Sequence, residues 1–183
     1  MGTLKTTNIE SISGSGTVTL GTSGETFALG TGVVQSNMLY PAFFAYDLHT
    51  TTQALSAATP TKLTPATEYY DTDSAYSSDK FTVPSGKAGK YRFYGGAEMV
   101  NNDDIGLCTL YVNGSILLST DSTVYTSITS RFNSGTGTAS DETFCSVDFV
   151  ANLSDSDYVE LYMTINDAGD VRKIQFGGYR IGT

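Results

Sequence analysis

The sequence predicts an all-β protein: an antiparallel sandwich of the jelly-roll type with a short β-structured N-terminal arm. Three observations carry this. Thr, Ser and Gly supply 66 of the 183 residues. Thr is stiff at χ1, Ser competes for backbone hydrogen bonds and Gly loses most entropy on ordering, so long helices are disfavoured. Apolar and aromatic residues come in short alternating runs between turn residues, giving about nine or ten strands and no helical period. Twelve Tyr and nine Phe provide the mass of one sizeable core and argue against disorder.

Along the chain, residues 1–37 stand apart in texture. In residues 11–32 (SISGSGTVTLGTSGETFALGTG), Val18 and Leu20, then Phe27 and Leu29, alternate with small polar residues between glycine turns. Strands this short cannot bury an apolar face alone, so this segment is expected to attach to a partner or to copies of itself. An unstructured Gly/Ser/Thr leader is the other reading of the same composition. Residues 38–183 form the main domain. Residues 41–48 (PAFFAYDL) begin it as a strand. Residues 50–67 hold Pro60 and Pro65 and read as loop and edge, and residues 68–80 (EYYDTDSAYSSDK) as polar and turn-rich.

A short strand over residues 81–83 leads through a turn at 84–89 into a strand over 90–100 (KYRFYGGAEMV). Its glycine pair calls for a bulge or a close backbone approach. Residues 106–120 form the clearest hairpin, with Asn113-Gly114 supplying the positive φ angles of a type I′ turn. Residues 124–132 alternate weakly and 133–140 (NSGTGTAS) read as an exposed loop. Residues 144–153, 158–165 and 171–181 are three further strands joined by Asp- and Ser-rich turns.

Several of these segments together resemble the C1q-like domain family. The run Phe81-Thr-Val-Pro84, Ala88-Gly89, Lys90-Tyr91-Arg92-Phe93 is similar to its signature, a short strand ending in Pro followed by a Gly turn and an aromatic strand. Leu110-Tyr-Val-Asn-Gly114 looks like the family's next hairpin. Residues 147–163 (VDFVANLSDSDYVELYM) are similar to its acidic-turn segment, Phe176-Gly-Gly-Tyr179-Arg-Ile181 to its closing strand and Pro41-Ala42-Phe43 to its first strand. The likeness spans residues 41–183. The departures are a longer turn at 85–89, the Gly95-Gly96 interruption and the lack of a collagen-like leader, which argues against a complement- or adipokine-type secreted protein. The chain looks instead like the C1q-like modules of bacteriophage and bacterial surface proteins. That resemblance implies a compact homotrimer of C1q/TNF-like jelly rolls.

Charge narrows the partners. Ten basic against 19 acidic residues, net −9, make nucleic acid and anionic membrane poor partners. No apolar run is long enough to span a bilayer, and the opening residues lack the pattern of a secretory signal. Cys108 and Cys145 lie in strand-like segments without metal-ligand spacing, as buried free thiols or as a single bridge. The single histidine, His49, has Asp47 on its strand face, but nothing resembles a nucleophile elbow, so it reads as a surface or interface residue. Two cysteines and one histidine do not complete a zinc tetrad.

The aspartate pairs at 71/73, 103/104, 155/157 and 167/170 lie in expected loops, where they serve as turn formers or as oxygen ligands for calcium. Because some C1q-like trimers hold calcium near their axis, the resemblance points to Asp103 and Asp104 if a metal is bound. No other cofactor is expected. Tyr69, Tyr70, Tyr76 and Tyr125 lie in loop-like or edge segments, suited to recognition of protein or glycan or to a plain sandwich rim. Asn113 and Asn152 begin glycosylation sequons, the first better explained by its hairpin.

These readings converge on a non-enzymatic, trimeric virion structural protein of a bacteriophage, exposed at the virion surface. It would be a capsid decoration or short head-fibre protein, attached to other virion proteins by its N-terminal arm. A receptor-binding tail-fibre tip or lectin-like adhesin for a cell-surface glycan is the alternative.

Overall fold

The computed structural model describes residues 41–182 except 49, 51, 101–105 and 117–142, with the backbone alone at Thr143. All of these fall in the unit Asn37–Thr183. Val18, Leu20, Phe27 and Leu29 of the expected arm, His49, Asp103, Asp104 and Tyr125 lie outside the described residues.

The described residues contain no helix, and so none long and apolar enough to cross a membrane. They build twelve strands in two antiparallel sheets. The first sheet runs in the order β10 (Thr143–Leu153), β7 (Gly89–Val100), β12 (Gly169–Gly182), β1 (Ala42–Tyr46), β4 (Thr67–Asp71), with β2 (Gln53–Leu55) also on β12. The second runs β5 (Tyr76–Ser77), β6 (Lys80–Thr82), β11 (Tyr158–Ile165), β8 (Gly106–Val112), β9 (Ser115–Ile116), with β3 (Thr61–Lys62) on β11. The alternation that marked the long strands sorts their side chains. Tyr91, Phe93, Ala97 and Met99 of β7 point inward while Lys90 and Arg92 stay exposed, and Val159, Leu161, Met163 and Ile165 of β11 meet them.

The core is aromatic at its centre. Phe43 stacks on Tyr76 at 4.8 Å and on Phe81 at 5.1 Å, and meets the edge of Phe176 at 5.0 Å. Phe43, Phe93 and Phe176 come from one sheet, Tyr76 and Phe81 from the other. These contacts correct the expectation for Tyr76: it is a core ring, 8% exposed, and not a residue of a binding loop. Burial, then the charges of Asp79, Asp47 and Glu68, drive its phenol pKa upward.

Two further corrections concern strands. Residues 68–80, read as turn-rich, contain β4 and β5. Thr67 to Tyr70 of β4 are all exposed, so no apolar alternation announces the strand; its register comes from pairing with β1. The strands that the sequence does not announce are β2, β3, β4 and β5, three of them only two or three residues long; the strand expected over residues 124–132 lies outside the described residues.

The glycine pair in β7 resolves as close approach. A Cβ on Gly96 would lie 2.1 Å from the carbonyl oxygen of Cys145, and one on Gly95 2.6 Å from that of Gln175. A bulge sits on the neighbouring strand instead, where Arg172 faces Glu98 and Gln175 faces Gly96, so β12 carries one extra residue there; a second register shift falls between Arg180 and Gly182. Lys173 in the first bulge has φ 49°.

The hairpin turn is as the sequence predicts, with Asn113 at φ 52° and Gly114 at φ 75°. The Asn113 side chain is engaged at both ends, donating to Asp157 at 2.8 Å and accepting the Tyr158 N–H at 3.0 Å. Cys108 and Cys145 are buried free thiols.

Candidate functional site

In β1 both phases of the alternation are aromatic. Phe43 enters the core, while Phe44 and Tyr46 point out of the opposite face of the sheet, where β4 adds Tyr69 and Tyr70 and β7 adds Tyr94. With Gln175 these five rings line an open hollow of about 540 Å³. Phe44 lies 6.2 Å from Tyr46, 6.3 Å from Tyr94 and 6.4 Å from Tyr69, and Tyr69 lies 6.0 Å from Tyr70. Tyr94 lies flat because its neighbour on β12 is Gly177, whose hypothetical Cβ would sit 2.7 Å from the phenol.

Burial first, then the charge and hydrogen bond of Tyr70, raise the Tyr94 pKa, so the Tyr94 phenol stays protonated at neutral pH. Tyr69 is 72% exposed and Tyr70 40%. These rings form an apolar patch on the outer face of the sheet. Along β10 the same face carries the exposed Val150 and Phe144.

Charged pairs frame the rings. Arg92 holds Asp148 through two hydrogen bonds, 2.9 and 2.5 Å, and reaches the Tyr179 hydroxyl at 3.3 Å. Glu98 accepts from Arg172 Nε and Lys173 Nζ, each at 2.6 Å. The carboxylates answer the arrangement. Burial pushes Glu98 up, but the Lys173 and Arg172 hydrogen bonds together outweigh it and hold its pKa below the ordinary value. The Arg92 hydrogen bond lowers Asp148, and backbone N–H groups, that of Gly86 foremost, lower Asp155.

A carboxylate with a depressed folded-state pKa contributes stability above its unfolded pKa of about 4 and loses it as pH falls through the folded value. Asp79, raised by burial, acts in the opposite sense. The urea midpoint is therefore expected to stay level from neutrality to about pH 5 and to fall progressively below about pH 4. Glu98→Gln should flatten that fall in a pH series of urea titrations. An unchanged slope would show that the Glu98 pair contributes nothing.

Tyr69 and Tyr70, expected from the sequence either at a recognition surface or at a plain sandwich rim, lie side by side along this hollow. Sequence reasoning missed Phe44, Tyr46 and Tyr94, which lie inside strands that also feed the core. The aspartates near turns use their oxygens locally. Asp155 accepts the N–H groups of Gly86, Lys87 and Ala88 at 2.7, 3.1 and 2.9 Å. Asp157 accepts from Ser154 at 2.7 Å, and Asp71 from Tyr76 at 2.7 Å. Among the described residues no group of three or more His, Cys, Asp or Glu is placed to hold a metal ion.

Two solved structures are similar to this chain, and the first of them shares its architecture. The globular domain of zebrafish complement 1qA superposes with a TM-score of 0.52 at 16% identity, covering 77% of this chain and 97% of that one. The TNF Eiger from S. frugiperda gives a TM-score of 0.47 at 14% identity, covering 78% of this chain and 92% of its own. No sequence-family model matches the chain, and no curated protein matches it in sequence. The fold is an all-β jelly roll of the C1q/TNF-like class.

Proposed function

We propose that this chain is a non-enzymatic structural protein that works as a homotrimer, displayed at the surface of a bacteriophage particle as a decoration or short head-fibre protein. The observation that carries the self-association is the aromatic sheet face: Phe44, Tyr46, Tyr69, Tyr70 and Tyr94 around one hollow, with Val150 and Phe144 beyond them. Tyr and Phe supply large, rigid contact area at low entropic cost, and closed symmetry lets one such face serve every copy. The virion setting draws on the resemblance to bacteriophage C1q-like modules and on residues 1–37, whose short alternating runs suit attachment to another virion protein. Neither the net charge of −9 nor the phenol-lined face favours nucleic acid as a partner.

Light scattering of the full-length protein should return three times the 19.5 kDa chain mass. Tyr69→Glu changes a side chain that is mostly exposed, so the fold should survive while a charge enters the interface. The expected result is a shift toward the monomer with unchanged circular dichroism, about 30-fold weaker association for a hot-spot loss of about 2 kcal/mol. A wild-type monomer at every concentration would overturn the trimer. Electron microscopy of the particle tests the location: density at the capsid favours decoration, and density only at the tail tip favours the receptor-binding alternative.

A further inference from the structure

We propose that Cys108 and Cys145 are a redox-modifiable pair, which a hydroperoxide converts into a disulfide joining the two sheets without unfolding the domain. The cysteines belong to different sheets, Cys108 to β8 opposite Met163 and Cys145 to β10 opposite Ala97. Each is fully buried. The Cys108 N–H donates to the Cys145 sulfur at 3.1 Å, and the Cys108 thiol donates to the Cys145 carbonyl oxygen at 3.2 Å. With an N–Cα bond of about 1.46 Å, the Cys145 sulfur is within about 4.6 Å of the Cys108 Cα. A sulfur that lies this close to the opposing Cα puts the two cysteine side chains side by side, within reach of a bridge whose Cα atoms stand about 4.4–6.8 Å apart.

The contacts also divide the labour. The adjacent Cys145 side chain, with burial, raises Cys108 far above the usual thiol value; the Cys108 side chain, and the Cys108 N–H that the Cys145 sulfur accepts, lower Cys145 against the opposing effect of burial. Cys145 is thus the sulfur on which negative charge is favoured, and the thiolate is the reactive form. Its attack on the peroxide O–O bond gives a sulfenic acid, with one peroxide oxygen leaving as water after taking up a proton. Attack by the Cys108 sulfur on the sulfenic sulfur then forms the S–S bond and releases the second oxygen as water. The two thiols lose two electrons and two protons, and the peroxide is reduced to two waters.

The bridge would span a sequence separation of 37 residues and staple β8 to β10, which no hydrogen-bonded ladder connects. Where the domain is displayed at a particle surface, which rests on the function proposed above, this bridge would be a covalent lock formed by a small oxidant.

The experiment treats the native full-length protein with hydrogen peroxide, quenches with iodoacetamide in denaturant and maps the peptides by mass spectrometry. The proposal expects an intramolecular cross-link between the Cys108 and Cys145 peptides and a mass lower by two hydrogen atoms. It also expects an unfolding midpoint raised by about 10 °C, lost again on reduction with dithiothreitol. Two alkylated thiols after treatment, sulfinic or sulfonic acid without a cross-link, a cross-link between chains, or a cross-link that lowers the midpoint each overturns it. The measurement is made on the wild-type chain, so it does not depend on a cysteine variant folding. Where Cys145→Ala folds, it should lose the cross-link and leave Cys108 unmodified at the same peroxide dose.

Discussion

Phe43→Ala is expected to lower the thermal unfolding midpoint by about 6–20 °C, the largest effect of any single truncation in the core. The figure combines a cost of about 3–5 kcal/mol for truncating a buried Phe with about 2–4 °C per kcal/mol for a domain of this size. Phe43 is fully buried. Its ring is sandwiched between Tyr76 at 4.8 Å and Phe81 at 5.1 Å from the second sheet, with Phe176 edge-on at 5.0 Å from its own. Removing it leaves a void that neither sheet can close, because each is held to its register by long ladders through β7 and β11.

Tyr76 would lose its stacking partner and be left with a hydroxyl that is buried without a hydrogen bond, so relaxation by exposing that ring is the natural escape. Phe43→Leu keeps most of the volume and should cost less than half as much. Calorimetry on both variants checks the ordering, and a shift under about 3 °C for the alanine would refute the view that this ring joins the sheets.

The same ring shows what could be read from the chain and what could not. The strand at residues 41–48, the segments leading into β7, β10, β11 and β12, and the Asn113-Gly114 hairpin were legible, because alternation and turn chemistry are local. β4 was not legible: Glu68, Tyr69 and Tyr70 are exposed, and their strand state comes from the neighbour β1. Tyr76 misled because its sequence neighbours are Asp, Ser and Ala, whereas its burial comes from Phe43, distant in the chain.

The aromatic face was half visible. Tyr69 and Tyr70 stood out in a polar segment, but Phe44, Tyr46 and Tyr94 were hidden among residues that looked like core. The signal was present in FFAY and KYRFYGG: when both phases of a strand are aromatic, both of its faces are to be covered. The proximity of Cys108 to Cys145 had no local signal at all, since it depends on how the edges of two sheets meet.

Gly96→Ala should lower the midpoint by about 2–12 °C, and it separates close approach from simple strand propensity. In a strand interior alanine is preferred to glycine by about 0.5–1 kcal/mol, so propensity alone predicts stabilisation. The geometry opposes this. The added Cβ would lie 2.1 Å from the Cys145 carbonyl oxygen and 2.9 Å from the Ser146 Cα. Both are backbone atoms of β10, so relief requires moving that strand off β7, and overpacking of this kind costs about 1–3 kcal/mol or more.

Two other glycines calibrate the result. At Gly106 the new Cβ would meet Met163 Cε at 2.5 Å and Met99 Sδ at 2.8 Å, the adaptable ends of side chains that can re-pack, so Gly106→Ala should cost less. At Gly182 nothing lies within 4 Å, and Gly182→Ala should stay within about 0.5 kcal/mol of wild type. The expected order of destabilisation is Gly96, then Gly106, then Gly182, read from chemical denaturation midpoints. A Gly96→Ala protein as stable as wild type would show that β10 can shift without cost, and with it the Cys145 backbone that fixes the cysteine pair.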